Sequence, residues 1–232
     1  MDTPIVGIFG MLLTVVAMFL GTVCVIQALL KQKRDLLKAI LLGAAIWIAA
    51  YLLVLLSVST VSHAQVLRPG AEKRFCGFYL DCHLAASVDR VDTAHVIGAG
   101  NGKQPQLCAD GTWWVVTVRV SSNARRAHLG LLRPRLTVVD DLGTEYPRAA
   151  AAERELGDTA SLERNLGPGE SLVRRVVFDL PRSVRRPRLQ FTEGYWIDRL
   201  IELFLIGDED SLLHGKTTFL LQESGEVAFT QP

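Results

Sequence analysis

No sign of charge dominates this sequence: 25 Lys and Arg stand against 24 Asp and Glu, a formal net charge of +1. A nucleic-acid binder needs a concentrated basic surplus to displace counterions from phosphates, so that class is excluded. There is no internal repeat and no low-complexity segment. Catalytic signatures are missing as well. No nucleophile elbow, zincin motif or Ser/His/Asp set is present, and the histidines His63, His83, His95, His128 and His214 are scattered. "HGKTT" ends like a phosphate-binding loop at Gly215, Lys216 and Thr217. Asp210 stands where that loop requires its first glycine, so the cradle of backbone N–H groups cannot form.

What is present is a sharp division. Residues 4 to 60 are almost wholly apolar, whereas residues 61 to 232 carry nearly all the Asp, Glu and Arg, and are long enough for a domain with its own core. Pro4 to Leu30 runs 27 residues without a charge, and Ala39 to Thr60 runs 22 more. Each exceeds the roughly 20 residues that cross a ~30 Å hydrocarbon layer as a helix. Between them, residues 31–38 hold Lys31, Lys33, Arg34 and Lys38 against Asp35. Basic residues in short loops stay cytoplasmic, so the expectation is a helical hairpin in a bacterial plasma membrane, with both termini and the carboxy-terminal domain extracytoplasmic. Arg68, Lys73 and Arg74 oppose this weakly. Small residues recur four apart at Ala17 and Gly21, Ala39 and Gly43, and Ala45 and Ala49, which fits hairpin packing or a homo-oligomer. Ser62 and Ala64 resemble a signal-cleavage site, but the apolar run before them is too long for a signal core, so retention is expected.

Residues 61–74 read as a polar juxtamembrane linker, and 75–232 as the extracytoplasmic domain. Its segments are short and β-like, separated by Gly, Pro and Asp turns. In "TWWVVTVRV", Trp114, Val116, Val118 and Val120 form a uniformly apolar face that belongs against a core. Leu172, Val176 and Phe178 share a face that Arg174 interrupts. Asp141-Leu142-Gly143 marks a hairpin-like turn. The pattern predicts a mainly β fold, an antiparallel β-sandwich. The Ala-rich stretch Arg148 to Asp158 reads as a local helix or loop on one end. "WIDRLIELFLIG" predicts one short amphipathic helix, with Ile197, Leu200, Ile201 and Phe204 covering an open end of the core. Asp198, Arg199 and Glu202 would then face away.

Four motifs carry a resemblance: Asn123 at a strand end; Asp140 with Gly143 and Tyr146; Pro168-Gly169-Glu170; and Phe178-Asp179-Leu180-Pro181. In this order, over roughly residues 84 to 222, the chain resembles the bacterial extracytoplasmic immunoglobulin-like domains of unknown function. The resemblance implies an immunoglobulin-like sandwich that acts as an interaction module, and it transfers no catalytic residue.

Cys76, Cys82 and Cys108 lie in the exported part. Haem attachment fails because Tyr79 replaces the first cysteine of Cys-x-x-Cys-His. In an oxidising compartment a disulfide is the default. Cys76 with Cys82 is favoured, although an extended chain would hold them about 20 Å apart, so a turn within residues 77–81 is required. Pairing of either with Cys108 remains open, as does a metal set of Cys76, Cys82, His83 and Cys108. Cys24 is an apolar filler of the first span. "GDEDS" offers Asp208, Glu209 and Asp210 as a contact for an ion or partner. The alternation of a calcium loop stops at Leu212, so a solvated turn is the simpler expectation.

The reading is therefore a membrane-tethered binding module without catalytic activity or cofactor. It holds the lipid bilayer through two helices and contacts a protein or envelope polymer, and it does not bind nucleic acid. The alternatives are an exported metal or redox protein built on the Cys/His set, and an enzyme of unrecognised type.

Overall fold

The computed structural model describes residues 5–76, 82–98, 106–158, 160–222 and 225–226. The chain divides into two units, Met1–Ala64 with Trp196–Lys216, and Gln65–Tyr195 with Thr217–Pro232.

The first unit is built on helix α1, Ile5–Leu30, and helix α2, Arg34–Val61. The second helix begins five residues earlier than the charge-free run, so Arg34, Asp35 and Lys38 lie within it and the connection shrinks to residues 31–33. Charged side chains at a helix end do not break it, because the backbone bonds are unaffected and the long side chains reach water. Trp47 Nε1 donates to Thr14 Oγ1 at 3.3 Å across the pair. Both helices are long and apolar enough to cross a membrane. A Cβ added at Gly21 or Gly43 would meet nothing within 4 Å, so neither glycine lies in a tight helix–helix seam here.

The second unit is a two-sheet sandwich. Strands β1 (Gln65–Leu67) and β2 (Glu72–Phe75) open it, so the stretch expected as a linker already contributes to both sheets. Then come β3 (Leu84–Ile97), β4 (Leu107–Ser122), β5 (Arg135–Val139) and β6 (Glu145–Pro147). Helix α3 (Ala150–Glu155) precedes β7 (Ser171–Leu180) and β8 (Arg188–Thr192). Strands β9 (Thr217–Leu220) and β10 (Gly225–Glu226) complete it.

One sheet has the order β1-β9-β8-β5-β6 and the other β10-β3-β4-β7, with β2 also on β3. Most pairs are antiparallel, but β1 with β9 and β10 with β3 are parallel. The expectation of a wholly antiparallel sandwich is corrected on this point. Two short edge strands come from distant parts of the chain, and no tight turn obliges them to run antiparallel to their neighbours.

The core lies between the sheets. Val88, Val91, Val116, Val118, Val176 and Phe178 from one sheet meet Leu136, Val138, Leu189, Phe191 and Phe219 from the other. Trp114 packs against this cluster, so the apolar face expected of β4 is the core face. Its other face is covered as well. Trp113, Val115 and Val177 form a second cluster with Ile97, Ala152 and Leu156.

That second cluster explains the Ala-rich stretch. It does not sit at an end of the sandwich but runs along the free edge of β7. Ala149 N donates to Val177 O at 2.7 Å, Val177 N to Glu153 Oε1 at 3.3 Å, and Arg175 N to Asp158 Oδ2 at 2.8 Å. An uncovered edge strand invites pairing with another chain, and here the edge is closed by the protein's own backbone and carboxylates.

Helix α4, Trp196–Glu202, forms as the periodicity predicts, but its packing is inverted. It belongs to the first unit, and it is a second short helix beside α3 rather than the single one expected. Ile197, Leu200 and Phe204 are exposed, whereas Glu202 is buried. The following segment docks on the helical pair. Tyr51 OH donates to Phe204 O at 2.6 Å, Ser59 Oγ meets Ser211 Oγ at 3.3 Å, and Gly215 N donates to Ser62 Oγ at 2.7 Å. Gly7 is where the approach is closest: a Cβ there would lie 2.1 Å from Ile206 O.

Candidate functional site

Two places were legible as chemistry, and the structure treats them differently. Cys76 and Cys82 form a disulfide with Cα atoms 4.2 Å apart. The turn it requires, residues 77–81, lies outside the described residues. Cys108 is a free, exposed thiol. Leu84 pairs with Ser122 at one end of the β3–β4 ladder and Val96 with Cys108 near the other. That is roughly 40 Å of extended chain, so Cys76, Cys82, His83 and Cys108 do not converge on a metal. His83 instead faces the Asn123 side chain, 2.8 Å from its Oδ1.

The second place is the acidic turn. After α4 the chain folds back on itself, with Leu212 N donating to Leu203 O at 3.0 Å, Asp208 N to Leu205 O at 3.3 Å and Ser211 N to Asp208 O at 3.2 Å. Leu205, 1 % exposed, anchors the loop. This fold-back carries Asp208 and Asp210 over the end of α4, where Glu202 projects. One carboxylate oxygen from each of the three lies within 4.8 Å of the others. Glu209 is not part of the triplet, and the turn is not the solvated loop that its composition suggests.

Glu202 is only 8 % exposed, and its Oε2 is buried without a hydrogen-bond partner among the described residues. Burial pushes its carboxyl up to about 7, with Asp208, Asp210 and Asp198 adding repulsion and Arg199 opposing it. Burial also raises Asp208, to about 6, although the Asp210 amide at 2.8 Å favours its charged form. Lys216 Nζ stands 3.7 Å from Asp210 Oδ1. Three oxygens facing one another in this way can hold a cation or a shared proton. They provide no nucleophile.

Sequence reasoning missed Glu202 by assigning it to the wet face of the helix. The signal was its setting, a lone acid inside "LIELFLIG" with apolar neighbours on both sides.

The four motifs of the resemblance prove to be braces rather than a site. Asp140 Oδ1 accepts the Leu142 and Thr144 amides at 2.9 and 2.8 Å, and its Oδ2 accepts the Tyr146 hydroxyl at 3.1 Å. Gly143, at φ +82°, makes the turn between them. Asp179 accepts the Asp110 and Gly111 amides at 2.9 and 3.1 Å, Glu170 accepts the Gly167 amide at 2.9 Å, and Asn123 N donates to His83 O at 2.9 Å.

No family model matches the chain. Nor does any curated protein. Three solved structures are similar to part of this chain. A conserved hypothetical protein from Bacillus anthracis is 18 % identical, covers 54 % of this chain and 93 % of its own, and has a TM-score of 0.40. The secreted protein MPT63 from Mycobacterium tuberculosis is 15 % identical, with coverage of 57 % and 98 % and a TM-score of 0.39. An uncharacterized β-sandwich protein from Clostridium difficile is 10 % identical, with coverage of 69 % and 97 % and a TM-score of 0.37.

Proposed function

We propose that this protein is a membrane-tethered binding module. In this reading α1 and α2 cross a bacterial plasma membrane as a hairpin, with residues 31–33 cytoplasmic. The sandwich, of immunoglobulin-like type, faces the extracytoplasmic space and engages a protein or an envelope polymer. The observation that carries the reading is the exposure of apolar side chains along both helices: Phe9 is 67 % exposed, Leu30 80 % and Leu53 69 %. In water such a surface far exceeds the few hundred Å² a soluble monomer tolerates. At 1.5 Å per residue the helices run about 39 and 42 Å, enough to cross a ~30 Å core.

Three further features support it. Lys31, Lys33, Arg34 and Lys38 cluster at the connection, as cytoplasmic loops do. The Cys76–Cys82 bridge suits an oxidising compartment. Trp196, Ile197, Leu200 and Phe204 are exposed in the same unit as the hairpin, where a lipid interface would receive them. The immunoglobulin-like assignment rests on two packed sheets between which the chain passes repeatedly, with the motif residues bracing the turns. The choice of binding over catalysis is supported by motif residues that brace the sandwich's own turns and strands. The open flanks of Gly21 and Gly43 leave those helix positions available to a second copy.

The test uses Cys108. In intact cells carrying Cys24→Ser, a membrane-impermeant maleimide should label Cys108 without lysis. Labelling that appears only after lysis would reverse the orientation.

A further inference from the structure

We propose that Glu202, Asp208 and Asp210 form a binding site for a divalent cation of the calcium class. The inference goes beyond the binding-module reading and does not depend on which side of a membrane the site faces.

The donors come first. All three are carboxylate oxygens, with no nitrogen or sulfur ligand, and such sets select hard cations over zinc or copper. The three oxygens lie within 4.8 Å of one another, close enough for one ion to touch all three. Calcium accepts irregular sets of carboxylate oxygens, whereas magnesium demands near-ideal octahedral geometry and usually keeps several waters rather than a set of protein ligands. Calcium is therefore the better match to this donor set.

The second observation is independent of the clustering. Glu202 Oε2 is buried and has no hydrogen-bond partner among the described residues. A buried carboxylate oxygen left unmatched is costly, and native structures resolve such atoms with a donor, a water or an ion. This one belongs to the most buried of the three acids, while Asp208 and Asp210 are half-buried.

Lys216 reaches Asp210 Oδ1 at 3.7 Å, a long contact, and its side chain is 49 % exposed. Arg199 and His214 favour the charged forms of Glu202 and Asp208 respectively, so the cluster already attracts positive charge. Asp208 accepts the Asp210 amide through Oδ1, which fixes the loop. A metal ion would thus be held by Glu202, Asp208 and Asp210, with water completing its shell. Three carboxylates without a dedicated twelve-residue loop place the affinity in the weak range of extracellular calcium modules, a Kd on the order of 10⁻⁴ M.

The experiment is equilibrium dialysis with radioactive Ca²⁺ on the full chain in detergent micelles, after EGTA treatment and dialysis into metal-free buffer. The expected result is saturation near one ion per chain. Glu202→Gln and Asp210→Asn should each weaken binding at least ~10-fold, since each removes one of the charged donors that set affinity. Glu163→Gln, at an exposed acid, should leave binding unchanged. Circular dichroism checks that each variant is folded. Should Glu202→Gln unfold, Asp210→Asn, at the wetter acid, decides the matter. Absence of saturation up to ~10 mM, or undiminished binding in both variants, overturns the site. Magnesium binding as tightly as calcium overturns the assignment to the calcium class.

Discussion

Replacing Glu153 with alanine should be among the most damaging single changes in the sandwich. The carboxylate is 3 % exposed and serves several donors at once. Arg148 donates through Nε at 2.8 Å and also through Nη2, Arg174 Nη2 stands at 3.2 Å, and the Val177 amide at 3.3 Å. Without the carboxylate, the Val177 N–H on the edge of β7 is left unsatisfied, which costs about 1–3 kcal/mol. Arg148 and Arg174 also lose this carboxylate, although Arg174 keeps the Ala160 carbonyl through Nη1. Breaking a buried ion pair from one side costs roughly 3–5 kcal/mol. Arg148 and Arg174 are 26 % and 15 % exposed at their side chains, so both can turn partly to water. That relief argues for the lower end of the range, about 3 kcal/mol in all.

In urea, with m near 2 kcal/mol/M, this moves the unfolding midpoint down by about 1.5 M. The assay is near-ultraviolet circular dichroism of the full chain in micelles, which reports the packing of Trp113 beside α3. Glu153→Gln keeps an acceptor for the amide and loses only the charge, so it should fall between wild type and alanine. Arg164→Ala removes the exposed Arg164–Glu170 pair, with side chains 56 % and 37 % exposed, and leaves the bond from the Gly167 amide to Glu170 in place. Such pairs contribute at most about 1 kcal/mol, making it the control. A loss below about 1 kcal/mol in Glu153→Ala would refute the claim that this carboxylate closes the edge of β7.

Asp140 should tie stability to acid. Burial opposes its ionisation, but the Thr144 and Leu142 amides and the Tyr146 hydroxyl outweigh it and hold the carboxyl below its usual range. Its contribution is therefore present above the unfolded value near ~3.9 and is lost as pH falls through the lower folded value. Asp140→Asn should flatten that part of an acid-unfolding profile. The Cys76–Cys82 bridge spans a sequence separation of 6, so it confines little unfolded chain. Cys76→Ser with Cys82→Ser should cost about 2 kcal/mol in a denaturant titration and leave the sandwich folded. Gly7→Ala sets a Cβ 2.1 Å from Ile206 O, a contact the backbone must relieve. Amide exchange in residues 203–212 should accelerate in that variant while β4 is unchanged.

Much of this protein is written locally. A helix long enough to cross a membrane needs only an unbroken apolar run, and the two runs are the two helices. The core face of β4 follows from period-two alternation, and the turn at Asp140 to Tyr146 from a carboxylate beside a glycine. The disulfide partner was one of several open pairings. Only the fold brings Cys76 and Cys82 within bridging distance and sends Cys108 to the far end of the ladder. Tertiary structure also decided three matters that no local pattern contains. The parallel pairing of β1 with β9 joins residues some 150 positions apart, a choice made by sheet closure rather than by any turn. The Ala-rich stretch covers an edge because β7 presents unpaired amides there. Helix α4 obeys its 3.6-residue period yet turns its apolar side outward. Periodicity shows that a helix has two faces, and its packing partner determines which one is buried. Here the chain that folds back after α4 brings Asp208 and Asp210 beside Glu202, which is buried.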